Sequence, residues 1–294
     1  MASADLVLDG AGALTHFDLK DFVRRVLAED MGSGGDVTSN ATIDADARFK
    51  AEMNCREPIV VAGIELAVAF FRALDREVHI SCQAQDGDEL PAGGLLMTLE
   101  GHARAMLTAE RSALNTLQHL SGIATLTRRY VDAIAGTGAT LLDTRKTIPG
   151  LRLLDKYAAR MGGAENHRMR LDDGVLIKDN HVGVAGSVEA AVKAAVAAGT
   201  GLQIQVEVDR IDQIEPALGA GAQRLLLDNM APATLREAVA LVAGRVPLEA
   251  SGGVNLDTIR AIAETGVDYI SVGRITQSAP AVDIALDYVL QPLG

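Results

Sequence analysis

The chain of 294 residues contains no tryptophan, and its aromatic residues together make up 3% of it. That scarcity excludes the aromatic platforms on which single-stranded nucleic acid stacks. Cysteine is nearly absent: Cys55 and Cys82 are the only two. They lack metal-ligand spacing and nothing requires them to pair, which suits a reducing cytoplasm. No apolar run approaches the roughly 18 to 20 residues needed to cross a bilayer. The first 22 residues hold no basic stretch followed by an apolar block, so no secretory leader is expected. Positive charge is also short, with 27 Lys and Arg against 39 Asp and Glu, a net charge of −12. A broadly basic nucleic-acid binder is excluded on that balance. At 48% hydrophobic and 22% charged, the chain is globular, and its length allows one large barrel or two domains.

The second half alternates apolar runs that end in polar residues with helical stretches. The runs are 140–143, 175–178, 202–207, 224–228, 247–251 and 269–273, with helical patterns at 187–198, 211–219, 233–243 and 256–265. This alternation predicts a parallel sheet with crossover helices. Glu207, Asp228 and Glu249 are evenly spaced, as if each stood at the same level of successive strands. A closed α/β barrel would bring Asp143, Lys178, Glu207, Asp228 and Ser251 to one mouth, although a doubly wound open sheet shares the local pattern. The first 118 residues lack this repetition. They read as a helix at 19–28, strands at 48–56 and 78–83 around a helix at 66–74, a turn-rich stretch at 87–94, and a long helix over 109–120.

Cations concentrate in one place. Between Thr144 and Arg170 stand Arg145, Lys146, Arg152, Lys156, Arg160, Arg168 and Arg170 against only Asp155 and Glu165. A positive island in a negative chain implies a small ligand with several negative groups. Arginine forks match planar carboxylates. Arg145, His167 and Arg168 are therefore candidates for a carboxylate pocket, with Lys178 adding a point charge. Arg160 reads as solvated surface, while Arg152 and Lys156 stay open between surface and site. Glu207 and Asp228 end strands, and buried carboxylates need partners. A magnesium ion held partly by water, or a structural salt bridge, would each serve. Ser251-Gly252-Gly253 and Val272-Gly273-Arg274 close the last two strands, where barrels commonly bind phosphate. Gly32-Ser33-Gly34-Gly35 has no following Gly-Lys-Ser/Thr and is not a P-loop.

The run Asp143-Thr144-Arg145-Lys146-Thr147, then His167-Arg168, then Ile177-Lys178-Asp179-Asn180, resembles the quinolinate phosphoribosyltransferase family. The likeness extends through Gly35-Asp36-Val37-Thr38, Thr108-Ala109-Glu110-Arg111, Leu120-Ser121-Gly122, Val206-Glu207-Val208, Leu227-Asp228-Asn229, Ser251-Gly252-Gly253 and Ser271-Val272-Gly273, nearly the whole chain. It implies an α/β fold: an incomplete TIM-like barrel over 119–278 and an α/β sandwich over 1–118, the latter completed by a last helix near 281–290 within 279–294. It implies transfer from phosphoribosyl pyrophosphate (PRPP) to quinolinate with decarboxylation, giving nicotinate mononucleotide, pyrophosphate and CO2 for NAD biosynthesis.

The resemblance assigns substrate binding to Arg111, Thr144, Arg145, Lys146, His167, Arg168 and Lys178. Lys146, Glu207 and Asp228 would stand near the ribose and the pyrophosphate, with the two acids holding Mg2+, in part through water. Ser251, Gly252, Gly253 and Gly273 would hold the 5′-phosphate. Arg111 would reach into a partner's site, which implies a homodimer or a hexamer of dimers. Glu249 shares the register but receives no role. Ile148 and Ala164 depart from the family pattern, where Thr and a third Gly are common. They leave room for a paralogue with another acceptor, such as the molybdenum-transport-associated relatives, but the intact Arg145, Lys146, His167, Arg168 and Lys178 argue against it. Two readings outside the family are a Schiff-base aldolase using Lys178 and a non-enzymatic sensor of phosphorylated metabolites.

Overall fold

The computed structural model describes residues 17–289. They divide into two compact units. One holds residues up to 126 together with 153–162 and 279 onward, and the other holds 127–152 and 163–278. Residues 1–16, on which most of the leader expectation rests, and 290–294 lie outside the described residues.

The first unit contains β1 (Arg48–Cys55), β2 (Ile59–Val60), β3 (His79–Cys82), β4 (Glu89–Leu90), β5 (Leu95–His102) and β12 (Ile284–Val289). Four of them form an antiparallel sheet in the order β12-β1-β5-β3, and β2 pairs with β4. Its helices are α1 (Leu19–Met31), α2 (Val37–Thr42), α3 (Ile64–Leu74), most of α4 (Ala103–Ala133) and nearly all of α5 (Arg152–Met161). Caps fix the helix starts. Asp18 accepts the Asp21 amide at 2.9 Å, and Asp36 accepts the Ser39 amide at 2.9 Å. The Gly35-Asp36-Val37-Thr38 motif is thus the start of a helix. In α4, the Ser121 hydroxyl accepts the Ala62 amide at 3.0 Å. A Cβ on Gly122 would lie 2.1 Å from the Pro280 carbonyl oxygen, so only glycine lets that segment pack there.

Three elements differ from the sequence reading. The expected helix at 281–290 is instead β12, antiparallel to β1, with Ile284 opposite Cys55 and Leu286 opposite Met53. Ile284 and Leu286 are buried while Ala285 and Asp287 are half-buried, a period of two that completes the edge of β1. β5, which joins β1 to β3, is missing from that reading, and α4 is much longer than 109–120. Finally, α5 follows a barrel strand in sequence but supplies core to the first unit, with Leu154 through Ala159 all buried. Its Tyr157 hydroxyl donates to Asp86 at 2.5 Å, and Asp155 meets His119 Nε2 at 2.7 Å. Lys156 is fully buried here, which makes it a core residue.

The second unit is a parallel sheet of β6 (Thr140–Leu142), β7 (Val175–Ile177), β8 (Ile204–Val208), β9 (Arg224–Asp228), β10 (Leu248–Ser251) and β11 (Tyr269–Ser271). Along the chain, α6 (Asp179–Ala185), α7 (Val188–Ala197), α8 (Ile214–Ala220), α9 (Pro232–Val242) and α10 (Ile259–Ala263) separate β7 to β11, and α11 (Arg274–Gln277) follows. The strand order is β6-β11-β10-β9-β8-β7. The first strand therefore pairs with the last, as in a barrel, and the ladder stays open between β6 and β7. Only a bridge from Leu142 to Glu165 extends past β6. Strand interiors such as Leu225–Leu226–Leu227 are buried throughout, as parallel strands covered on both faces require. The equal-level reading of the three acids is corrected by the register. Glu207 pairs with Leu226 and Leu226 with Glu249, whereas Asp228 pairs with Ser251, one pleat repeat nearer the mouth. Even spacing in sequence counts loop residues as well as strand residues, so it does not fix the level.

Candidate active site

The carboxyl ends of the second unit's strands open onto a cavity of about 880 Å3. Thr144, Arg145, Lys146, His167, Arg168, Lys178, Glu207, Asp228, Ser251, Gly252, Gly253 and Gly273 all line it. Arg111 does not; it is exposed on α4 in the first unit. Neither Ile148 nor Ala164 lines the cavity. Ala164 also lies outside the left-handed backbone region that Gly163 occupies, so its methyl group introduces no strain there.

Two arginines dominate one side. Arg145 follows β6 and is half-buried, and its buried Nε has no hydrogen-bond partner. Arg168 donates from Nη1 to the Gly174 carbonyl at 3.0 Å. Burial, and then the neighbouring charge of Arg145, push the Arg168 guanidinium below its usual range against the opposing pull of Asp173. Two half-buried cations that repel each other favour a ligand bearing more than one carboxylate. Lys146 is exposed beside them. Its amide donates to Thr144 Oγ1 at 3.0 Å and its carbonyl accepts from Thr276 at 2.7 Å.

Buried acids hold this side in place. Asp143 is fully buried and accepts the His167 amide at 2.8 Å and Asn166 Nδ2 at 2.5 Å. The His167 ring takes the Arg168 amide on Nδ1 at 2.8 Å, and its Nε2 lies 3.4 Å from Glu249 Oε2. That same oxygen accepts from Gln205 Nε2 and Arg224 Nη2, each at 2.8 Å. Burial raises the Glu249 carboxyl, but His167, Arg224 and Ser271 outweigh it and hold the group down at about 2.

Across the cavity, burial pushes the Glu207 carboxyl up; Lys178, with Nζ at 3.9 Å, opposes the shift, while Asp228 and Asp179 add to it. A hard divalent cation suits that oxygen pair. Among the described residues no cluster of three or more His, Cys, Asp or Glu could hold a metal. Glu207 and Asp228 are the residues that could hold Mg2+, which takes one or two carboxylates and completes its shell with water and phosphate oxygens. Beyond Asp228, Asn229 adopts the left-handed region (φ 54°), and its Nδ2 donates to Asp228 Oδ2 at 2.8 Å. Its amide donates to the Ser251 carbonyl at 2.9 Å. A Cβ on Gly252 would lie 2.3 Å from Asn229 Oδ1. Gly252 and Gly253 both have positive φ, a backbone that keeps N–H groups accessible to a phosphate. Sequence reasoning left Asn229, Arg274 and Glu249 without roles, although all three line the cavity. Asn229 and Arg274 each directly follow a strand-end residue that was singled out, and that adjacency is the signal available in the sequence.

An incomplete α/β barrel whose mouth gathers Arg145 and Arg168 in one cavity with the Ser251-Gly252-Gly253 turn has the architecture of an enzyme for small, multiply anionic substrates. Comparison with known proteins is more specific. Residues 36–121 match the model of the N-terminal domain of quinolinate phosphoribosyl transferase, and residues 123–287 match its C-terminal domain. The chain is 44% identical over 276 residues to a nicotinate-nucleotide pyrophosphorylase [carboxylating] of Mycobacterium leprae, covering 91% of this chain and 96% of that one. It is 42% identical over 289 residues to a mitochondrial quinolinate phosphoribosyltransferase [decarboxylating] of Nicotiana tabacum, covering 92% of this chain and 82% of that one. The crystal structure of nicotinate-nucleotide pyrophosphorylase from Ehrlichia chaffeensis superposes with a TM-score of 0.89 at 40% identity, covering 93% of this chain and 99% of that one. The chain belongs to the quinolinate phosphoribosyltransferase family.

Proposed function

We infer that this cavity joins the ring nitrogen of quinolinate to C1 of phosphoribosyl pyrophosphate and releases CO2, giving nicotinate mononucleotide and pyrophosphate. The reading rests on family membership and on one observation: Arg145 and Arg168, neither of them ion-paired among the described residues, share a cavity with the Ser251-Gly252-Gly253 cradle. The arginine forks grip the two planar carboxylates, each charge-assisted bond contributing about 1.5–3 kcal/mol. Thr144 and Lys178 extend that subsite, and Lys146 orients quinolinate against the pyrophosphate. Ser251, Gly252, Gly253 and Gly273 hold the 5′-phosphate. As pyrophosphate departs, positive charge develops on the ribose ring, and the carboxylates of Glu207 and Asp228 stabilise it. Glu207 and Asp228 would also hold a magnesium ion, which would supply positive charge against the leaving pyrophosphate. The pyridinium formed by the new bond stabilises the electron pair left at C2 as CO2 departs, a proton from solvent then replaces the carboxylate at C2, and the protein's part in that step is positioning.

Arg111 is assigned to the cavity of a second copy, so the working unit is a homodimer, alone or within a hexamer of dimers; its exposure on α4 supports this. Cytoplasmic placement is supported by Cys55 and Cys82, both free thiols. Among the described residues no helix is long and apolar enough to cross a membrane. The aldolase reading loses ground because Lys178 shares its cavity with Arg145 and Arg168, which suit carboxylates better than a carbonyl. The test is Arg145→Ala. Its quinolinate KM is expected to rise about 10- to 100-fold, matching one lost charge-assisted bond. Retained quinolinate affinity would remove Arg145 from its role.

A further inference from the structure

Glu249 is fully buried in a barrel interior and is tied to residues from three other parts of the unit: Gln205 on β8, Arg224 on β9 and His167 before β7. Burying such a charge brings little net stability even when it is paired. Arg224 is fixed in turn by the Tyr269 ring, 4.0 Å from its guanidinium carbon. The His167 ring has both nitrogens engaged. Nδ1 accepts the Arg168 amide, which leaves Nε2 to carry the proton that faces Glu249. His167 and Arg168 also line a second cavity, of about 230 Å3, with Gln205, Arg224 and Tyr269. The ring borders both cavities, and its two polar contacts orient it.

We propose that Glu249 is a positioning residue for the quinolinate subsite: through His167 it fixes the Arg168 backbone and hence the spacing of the Arg145–Arg168 clamp. His167 is then a strut rather than a direct carboxylate ligand. The proposal rests on the reading that this clamp holds quinolinate.

Glu249→Gln removes the charge at nearly constant volume. It is expected to raise the quinolinate KM at least about tenfold while the PRPP KM moves less than about twofold. His167→Ala should also raise the quinolinate KM, and adding Glu249→Gln in that background should change it by less than about twofold, because the carboxylate acts through the ring. An unchanged quinolinate KM, equal rises in both KM values, or full additivity in the double variant overturns the proposal. Arg168→Lys separates the two layers. If it leaves quinolinate KM unchanged, the site reading itself fails; if it raises KM while Glu249→Gln does not, only the role of Glu249 fails. The 15N spectrum of His167 in the unmodified enzyme needs no variant: a proton on Nε2 with a bare Nδ1 is expected, and a proton on Nδ1 in the free enzyme overturns the strut.

Discussion

Glu207 is held where its charge is disfavoured. Burial and the nearby charges of Asp228 and Asp179 raise its carboxyl above the ordinary value of 4.5, against the pull of Lys178 and of a backbone hydrogen bond from Asp179. A group whose folded pKa is raised binds a proton more readily in the fold than in the unfolded chain. Its ionised form therefore destabilises the fold at neutral pH, and the effect fades as pH falls toward 4.5. Glu207→Gln is predicted to raise Tm at pH 7 in substrate-free, magnesium-free buffer, on the order of a degree or more, and to lower turnover. The Tm gap should close as the pH approaches 4.5. A lower or unchanged Tm at pH 7 would contradict the account. Residues of this kind were legible in the sequence because each ends or follows an apolar run: Arg145, Lys178, Glu207, Asp228 and Ser251 all line the cavity. The function of Glu249 was not legible. Its partners Gln205, Arg224 and His167 lie on other segments, and only the folded register brings them onto one oxygen. Lys156 shows another case: its sequence context left it open between surface and site, and the fold puts it in neither place, burying it in the first unit.

Among the elements, those with one dominant period were the readable ones. The βα repeats of the second unit follow from apolar runs bounded by polar ends, and the reading of a barrel over a doubly wound sheet is met by β6 pairing with β11. Short segments with mixed signals were not readable. The helix expected over 281–290 rested on the resemblance and not on residue spacing, and the edge of β1 takes 284–289 as a strand. Such decisions depend on contacts distant in sequence, as the packing at Gly122 illustrates. A Cβ there would overlap the Pro280 carbonyl, which is backbone and does not rotate away. Gly122→Ala should cost about 1–3 kcal/mol of stability by urea unfolding, despite alanine's better helix propensity. A neutral or stabilising result would mean that the segment entering β12 packs elsewhere.

At the scale of the molecule, the charge is organised by contrast. The chain carries −12 overall, yet one cavity gathers Arg145, Lys146, Arg168, Lys178 and Arg274 together with Glu207 and Asp228. The cations favour carboxylates and phosphates, and the acids favour a metal ion and a developing ribose cation. A substrate pair that places carboxylates at one end, phosphates at the other and positive charge between them uses all of these groups at once, as quinolinate and phosphoribosyl pyrophosphate do. The most direct measurement incubates the purified protein with phosphoribosyl pyrophosphate, Mg2+ and either quinolinate or nicotinate, following nicotinate mononucleotide and CO2 by mass spectrometry. The account predicts mononucleotide and CO2 in equal amounts from quinolinate and no mononucleotide from nicotinate. Mononucleotide from nicotinate, or no product from quinolinate, would contradict it.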